Sequence, residues 1–136
     1  IEETTSDATV DLVCLVDCSG SMEGYKMAEL QKSLIYMIEL MGDQDRLSLI
    51  CFNSQVTILN GLRVCTIENK RGRLRSKIQN IRAMGGTNIV GGLRKALKLL
   101  SKRTTKNQIS SIFLLSDGND SYNLQGLDLV LDKFDS

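Results

Sequence analysis

The chain has 136 residues, of which 42% are hydrophobic and 24% are charged, and its formal net charge is +1. This length accommodates one domain with a single hydrophobic core, and the composition is that of a globular protein. Uninterrupted apolar runs are only a few residues long, far short of the roughly 20 that cross a bilayer, so direct membrane insertion is not expected. The chain contains no His, which excludes catalysis by Ser-His or Cys-His pairs.

The N-terminal segment is polar and lacks the basic and apolar regions of a signal peptide. We therefore expect residues 1–9 to form a polar extension and residues 10–136 to form the domain. The absence of an initiator Met leads us to interpret the chain as a part of a longer protein.

The first half of the chain predicts a strand, a helix and a hairpin. A strand is expected over residues 10–16, where both faces are apolar, and an amphipathic helix over residues 26–41. Strands over residues 46–52 and 55–59 are separated by only two residues, and so short a connection requires antiparallel pairing. The second and third strands are therefore expected to form a hairpin at one edge of the sheet. Asn60-Gly61 is either a turn or a bulge within a longer third strand that resumes over residues 62–67.

The second half predicts two helices, a strand and a last helix. A basic helix is expected over residues 71–81, a second helix over residues 89–102, a strand over residues 109–115 and a helix over residues 124–134. This alternation predicts an α/β fold: a doubly wound, mostly parallel sheet with helices on both faces and one antiparallel edge strand. Helix 89–102 is expected to face the core through six apolar residues: Ile89, Val90, Leu93, Ala96, Leu97 and Leu100.

The cysteines are interpreted as reduced core residues. Cys14, Cys18, Cys51 and Cys65 include no CxxC pair, and with no His in the chain a zinc site is not expected. Reduced thiols favour a cytoplasmic location, although the even number of cysteines keeps an extracellular location open.

One stretch of the chain is strongly basic. Residues 70–106 contain twelve Lys and Arg residues and no Asp or Glu. Solvated outer faces of two helices explain this pattern, and a surface for an acidic protein, a nucleic acid or a membrane is the alternative. Nucleic acid is disfavoured because aromatic residues make up only 4% of the chain and are not interleaved with the basic charges.

Oxygen-bearing side chains follow two of the predicted strands and precede one helix. The first strand ends in a loop with one carboxylate and two hydroxyls, a glycine-rich loop with a Thr precedes helix 89–102, and a Ser-Asp-Gly sequence follows strand 109–115. Because ligands of such sheets bind beyond the carboxyl ends of the strands, we expect these loops to converge. An all-oxygen set suits a hard cation, Mg²⁺ or Mn²⁺, and disfavours a soft metal. The candidate ligands are Asp17, Ser19, Ser21, Thr87 and Asp117.

Three motifs resemble those of a known family. The sequence Asp17-Cys18-Ser19-Gly20-Ser21 is similar to the DxSxS motif of von Willebrand factor type A domains, Gly85-Gly86-Thr87-Asn88 resembles their threonine loop, and Ser116-Asp117-Gly118 resembles their aspartate loop. The ordered match runs from residue 11 to about residue 120. Among relatives, the chain most resembles domains of intracellular eukaryotic proteins, including copines and RING-containing proteins, which raises the expectation of a region of a ubiquitin ligase.

The resemblance implies a metal-ion-dependent adhesion site and a function without catalysis. The five candidate ligands above would hold Mg²⁺ or Mn²⁺, and the metal would bind an Asp or Glu of a partner protein. The domain would then be a metal-dependent protein-protein interaction module with no nucleic-acid partner.

Two other functions remain open. A phosphatase of haloacid-dehalogenase type also places an Asp at the end of its first strand, and Asp17, Thr87, Asp117 with Asp120, and Lys95 or Lys98 fit its other roles. That chemistry requires a second Asp as general acid where this chain has Ser19. A scaffold module that does not use the metal site is the third candidate.

The chain differs from the family at its C-terminal end. Members of the family usually continue after the fourth strand with two more strands and a helix, so we expect these elements to be missing here. A fourth strand without a neighbour would be an exposed edge, and such edges pair with other chains. A homodimer through this edge, or else a monomer of low stability, is therefore predicted.

Overall fold

The computed structural model describes residues 8–116. It contains four strands: β1 (Val10–Asp17), β2 (Arg46–Phe52), β3 (Val56–Val64) and β4 (Ile109–Leu115). The helices are α1 (Tyr25–Leu40), α2 (Arg75–Gln79) and α3 (Ile89–Ser101). The predicted helix over residues 124–134 and the candidate ligand Asp117 lie outside the described residues.

The four strands form one sheet in the order β3-β2-β1-β4. Strand β1 pairs in parallel with β2 and with β4, and β2 pairs antiparallel with β3. The expected mostly parallel sheet with an antiparallel edge strand is confirmed. As a result, β1, β2 and β4 all end at the same edge of the sheet.

Strand β1 is the centre of the hydrophobic core. Alternate residues of a strand point to opposite faces of the sheet. Accordingly, Cys14 and Val16 belong to a buried cluster that includes residues of α1, whereas Val13 and Leu15 belong to a second cluster that includes residues of α3. The continuous apolar run of β1 is thus explained by burial on both faces.

Helix α1 covers one face of the sheet through the predicted stripe. Met27, Leu30, Leu34 and Ile38 are buried, and their spacing of three or four residues places them on one side of the helix. The remaining surface of the helix is polar or partly exposed, so α1 is amphipathic as predicted.

The basic helix differs from the prediction in its geometry. A π-helical stretch, Asn69–Leu74, precedes α2, which ends at Gln79. The predicted apolar contacts are nevertheless present, because Leu74, Ile78 and Ile81 are all buried. Gly72 within the π-helical stretch has a low intrinsic preference for the α-helix.

Helix α3 packs closely on the opposite face of the sheet. A Cβ atom at Gly92 would lie 3.2 Å from a methyl carbon of Leu15, so this glycine permits the close approach of helix and strand. The contact continues through Ala96 and Leu100, spaced by four residues. The prediction that Val90 faces the core is wrong: its side chain is 55% exposed because it lies off this line of contact.

None of the helices in the described part of the chain has the length and apolar character of a membrane span.

Candidate metal centre

The centre of the candidate site is the carboxylate of Asp17. This residue ends β1 and is fully buried. Its Oδ1 atom accepts hydrogen bonds from the backbone amide of Ser19 at 2.9 Å and from the Ser19 hydroxyl at 2.6 Å. The short spacing of the DxS sequence therefore folds the Ser19 side chain back onto the carboxylate.

The second serine of the motif extends the same cluster towards the surface. The Oγ atoms of Ser19 and Ser21 are 3.1 Å apart. Since the Ser19 hydroxyl already donates to Asp17, Ser21 is the donor in this second bond. A 3₁₀ turn, Gly20–Met22, holds the loop, and its last residue, Met22, is buried in the core. The two hydroxyls and the carboxylate thus form a chain of hydrogen bonds with Ser19 in the middle.

Strand β4 contributes a hydroxyl that the list of candidate ligands did not contain. The Oγ atom of Ser116 donates to Oδ2 of Asp17 at 3.2 Å. Ser116 directly follows β4, which is the parallel neighbour of β1. The sequence predicts that the Ser116-Asp117-Gly118 loop lies near Asp17. The parallel pairing of β1 and β4 explains why Ser116, the first residue of that loop, contacts Asp17. The predicted ligand Asp117 is next in sequence but lies outside the described residues.

The threonine loop, residues 85–88, and Met84 directly before it contact the loop of residues 17–21 through backbone atoms. The Met84 amide donates to the carbonyl oxygen of Cys18 at 2.9 Å, and the Gly20 amide donates to the carbonyl oxygen of Gly85 at 2.9 Å. Thr87 is exposed, and its side chain makes no hydrogen bond to another residue of the described part. The structure thus brings the two loops together without placing the Thr87 hydroxyl on the carboxylate.

The connection between β2 and β3 supports the threonine loop, a role that the sequence analysis missed. The carbonyl oxygen of Asn53 accepts a 2.6 Å hydrogen bond from the Asn88 amide, and a Cβ at Gly85 would lie 3.2 Å from the hydroxyl of Ser54. Gly85 has a φ of 79°, a conformation that glycine adopts without strain. The sequence contains one signal for this role: Asn53 directly follows β2, which is the other parallel neighbour of β1 and therefore ends at the same edge of the sheet.

The electrostatic setting of Asp17 fits a cation. No Lys or Arg among residues 8–116 forms an ion pair with Asp17, and its described partners are hydroxyls and a backbone amide. A buried carboxylate that has no ion-pair partner is costly to keep as an anion. Within the described part of the chain, no three or more His, Cys, Asp or Glu side chains are placed so that they could hold a metal ion together. The candidate site is therefore one of hydroxyls around a carboxylate, a donor set suited to a hard cation.

A second buried aspartate on β1 has the opposite arrangement. Arg46 binds Asp11 in a bidentate manner at 2.7 and 2.8 Å, and Arg103 binds it at 2.8 Å. Burial alone would raise the pKa of Asp11, but the hydrogen bonds from Arg46, Arg103 and Asn107 outweigh it and hold the pKa below the ordinary value. Asp11 is thus neutralised by the protein itself, at the end of β1 away from the candidate site.

All four cysteines are free thiols. Burial raises the pKa of Cys14 to about 12 and that of Cys65 to about 11. A hydrogen bond with Cys18, together with burial, also raises the pKa of Cys51. Cys14, Cys51 and Cys65 are therefore protonated at neutral pH, which disfavours binding of a soft metal by these thiols.

Together, the mostly parallel sheet with helices on both faces, and the carboxylate and hydroxyls beyond its carboxyl edge, define a Rossmann-like α/β domain with a candidate ligand site at that edge. Comparison with known families gives the particular family: the model of the von Willebrand factor type A domain matches residues 12–119. The chain belongs to this family.

Its similarity to individual proteins agrees with this assignment. The chain is 32% identical over 120 residues to a probable E3 ubiquitin-protein ligase, WAVH2, of Arabidopsis thaliana, which covers 82% of this chain and 16% of the ligase. It is 31% identical over 114 residues to the human inter-alpha-trypsin inhibitor heavy chain H4, covering 80% of this chain and 12% of that protein. The chain thus spans less than a fifth of the length of either relative.

The fold is also that of a solved structure from the family. A von Willebrand factor type A protein from Catenulispora acidiphila superposes with a TM-score of 0.73 at 20% identity, over 92% of this chain and 30% of that one. At this identity the similarity establishes the fold alone. The family and its relatives support a protein-interaction module.

Proposed function

We propose that the chain is a metal-dependent protein-interaction module. Asp17, Ser19, Ser21, Thr87 and Asp117 would hold Mg²⁺ or Mn²⁺, and the bound metal would accept an Asp or Glu side chain of a partner protein. The observation that carries this proposal is the contrast within β1: the buried Asp11 is paired with two arginines, whereas the buried Asp17 has no ion pair among the described residues.

The donor set explains why the site would select an acidic partner. Hydroxyl ligands add no charge, so a divalent cation beside one or two carboxylates keeps enough positive charge to attract a further anionic oxygen. The hydrogen bonds among Asp17, Ser19, Ser21 and Ser116 hold these oxygens close together before any cation binds. Such preorganisation reduces the entropic cost of binding.

We favour this function over phosphatase chemistry because of Ser19. Its hydroxyl donates to Asp17 Oδ1, so the position that would need a general acid holds an alcohol that is bound to the candidate nucleophile. Turnover of an aryl phosphate that requires Mg²⁺ and disappears in Asp17→Asn would overturn this choice. A scaffold that does not use the metal site is the other alternative, and metal-independent partner binding would support it.

We also propose that the module acts in the cytoplasm as part of a larger protein. The similarity to a probable E3 ubiquitin-protein ligase supports a role in presenting a protein partner to such an enzyme. The four free thiols agree with a reducing compartment. Fractionation of cells that express the tagged full-length protein tests the location.

Calorimetric titration with Mg²⁺ and Mn²⁺ tests the metal site directly. We expect Asp17→Asn to abolish binding and Asp43→Asn, which removes the same charge from an exposed residue in the connection between α1 and β2, to leave it unchanged. Proteins retained by the immobilised domain should then be released by EDTA and absent with Asp17→Asn. Equal binding of Mg²⁺ or Mn²⁺ by Asp17→Asn and Asp43→Asn would refute the proposal.

A further inference from the structure

A groove of about 260 Å³ lies between α3 and β3. It is lined by Lys95, Lys98 and Leu99 of the helix, by Lys102 directly after the helix, and by Ile58 of the strand. The lysines are spaced by three and four residues and therefore lie on one side of α3. This groove is called the lysine groove below.

The lysines of the groove have no acidic partner among the described residues. All three are exposed, and none forms an ion pair with another described residue. The surrounding sequence offers none either, because residues 70–106 contain no Asp or Glu. Three like charges around one groove repel one another, so an anionic ligand would relieve this repulsion while binding.

The groove also has apolar and backbone surfaces. Ile58 is 42% exposed although it is surrounded by lysines, and Leu99 is half-buried beside it. In the described part of the sheet, β3 is an edge strand that pairs only with β2. An edge strand leaves backbone amides and carbonyls available to a further extended chain.

We propose that the lysine groove binds an acidic, extended segment of a protein partner, with carboxylates on Lys95, Lys98 and Lys102 and an apolar side chain on Ile58. A nucleic acid fits less well, because none of the described residues that line the groove is an aromatic that could stack on a base.

This site is separate from the candidate metal centre and does not depend on the proposed function. Helix α3 begins at Ile89, two residues after Thr87, and the lysines follow Ile89 by six to thirteen residues. At a rise of 1.5 Å per residue, this is about 9 to 20 Å along the helix axis. One partner could therefore occupy both sites, but binding to the groove alone requires no cation.

Fluorescence anisotropy with a labelled peptide tests the proposal. The probe is a synthetic 12-residue peptide of alternating Glu and Thr with one central Ile, measured at about 0.15 M salt in EDTA, where charges further than about 8 Å apart are largely screened. The triple variant Lys95→Gln, Lys98→Gln, Lys102→Gln should bind it at least about tenfold more weakly, since three exposed ion pairs are lost together. The matched control Arg71→Gln, Arg73→Gln, Lys106→Gln removes the same charge from exposed residues outside the groove and should bind like the wild type.

A further variant separates the apolar contact from the charges. Ile58→Thr should weaken binding of this peptide but not of the same peptide with Thr in place of Ile. Absence of binding by the wild type, equal loss in both triple variants, or loss of binding only in Asp17→Asn would each overturn the proposal. Tighter binding of a 12-nucleotide oligothymidine, lost in the same lysine variant, would overturn it in favour of a nucleic-acid site.

Discussion

The Gly20 amide and the Gly85 carbonyl oxygen are 2.9 Å apart, and their hydrogen bond joins the loop of the DxSxS motif to the threonine loop. The two residues are 65 positions apart in the chain. This bond lies beside the candidate metal centre, so the position of Thr87 relative to Asp17 depends on the backbone conformation at Gly85. The geometry of the site is therefore held by main-chain atoms as well as by the ligand side chains.

Substitution of Gly85 tests this dependence. Gly85→Ala places a Cβ at a φ of 79° and 3.2 Å from the Ser54 hydroxyl. We expect the free energy of unfolding to fall by about 1 to 2 kcal/mol, the cost of a left-handed conformation for a residue with a side chain. Mg²⁺ affinity should fall as well, because the Gly85 carbonyl moves. Urea unfolding and calorimetry measure the two effects.

Gly72→Ala is the control for this prediction. A Cβ at Gly72 has nothing within 4 Å, and its φ is not positive. The free energy of unfolding of the Gly72→Ala variant should be unchanged or higher, and the metal affinity of this variant should equal that of the wild type. Identical behaviour of the two glycine variants would contradict the role given to Gly85.

The ion pairs of Asp11 are expected to stabilise the fold. Arg103→Met leaves the buried carboxylate with one guanidinium fewer, and we expect a loss of about 3 kcal/mol in the free energy of unfolding near neutral pH. Because the pKa of folded Asp11 lies below its ordinary value of 3.8, this contribution is fully present above that pH and is lost as the pH falls through the folded pKa. The difference between variant and wild type should therefore shrink below about pH 4.

Chemical denaturation at a series of pH values measures this difference. Arg75→Gln is the matched control, because Arg75 forms an exposed ion pair with Glu39 at 3.9 Å. Such a pair contributes well under about 1 kcal/mol. Two results would refute this account of Asp11. One is a loss in the free energy of unfolding for Arg103→Met that is no larger than the loss for Arg75→Gln. The other is a loss that does not become smaller as the pH is lowered below about 4.

The thiols are predicted to react slowly in the folded protein. Burial raises the pKa of Cys14 to about 12 and of Cys65 to about 11, and only the thiolate is nucleophilic. An aromatic disulfide reagent at pH 7.5 should therefore modify the native protein far more slowly than the unfolded one. In denaturant without reductant, four thiols per chain should react. Fewer than four would reveal a disulfide and would argue against a reducing compartment.

The β4 edge is predicted to mediate a homodimer. Within the described residues, β4 pairs only with β1, and Ile109 and Phe113 on it are 46% and 47% exposed. Light scattering should give about twice the chain mass of 15.1 kDa. Phe113→Lys should return the protein to a monomer, because a charge on an edge strand opposes pairing. Leu40→Lys, at a residue of α1 that is 69% exposed, should not; a monomeric wild type would refute the prediction.

Strands and hairpin were predictable because their signals are local. The bounds predicted for β2 and β4 are those of the structure, and β1 is one residue longer than expected. Their apolar runs are bounded by polar residues, and the two-residue connection after β2 permits only antiparallel pairing. The π-helical stretch before α2 was not predicted, because the apolar spacing over a few residues does not distinguish it from an α-helix.

The candidate site was only partly predictable. The DxSxS spacing indicates that Ser19 lies beside Asp17, because the two residues are only two positions apart, and the structure shows a hydrogen bond between their side chains. Ser116 and Asn53 were missed as contributors, because their places beside the site depend on which strands are neighbours of β1. The part played by Asp117 stays a prediction.

What the sequence determined by itself was the α/β alternation, the family and the order of the three oxygen-rich loops, because these follow from local spacing along the chain. Tertiary structure decided the roles of the two buried aspartates of β1. Asp11 and Asp17 are alike in sequence, each adjoining apolar residues of one strand. The guanidinium groups that neutralise Asp11 come from residues 35 and 92 positions away. Only the folded chain brings those arginines to one end of β1 and leaves hydroxyls around Asp17 at the other, where a cation can supply the missing charge.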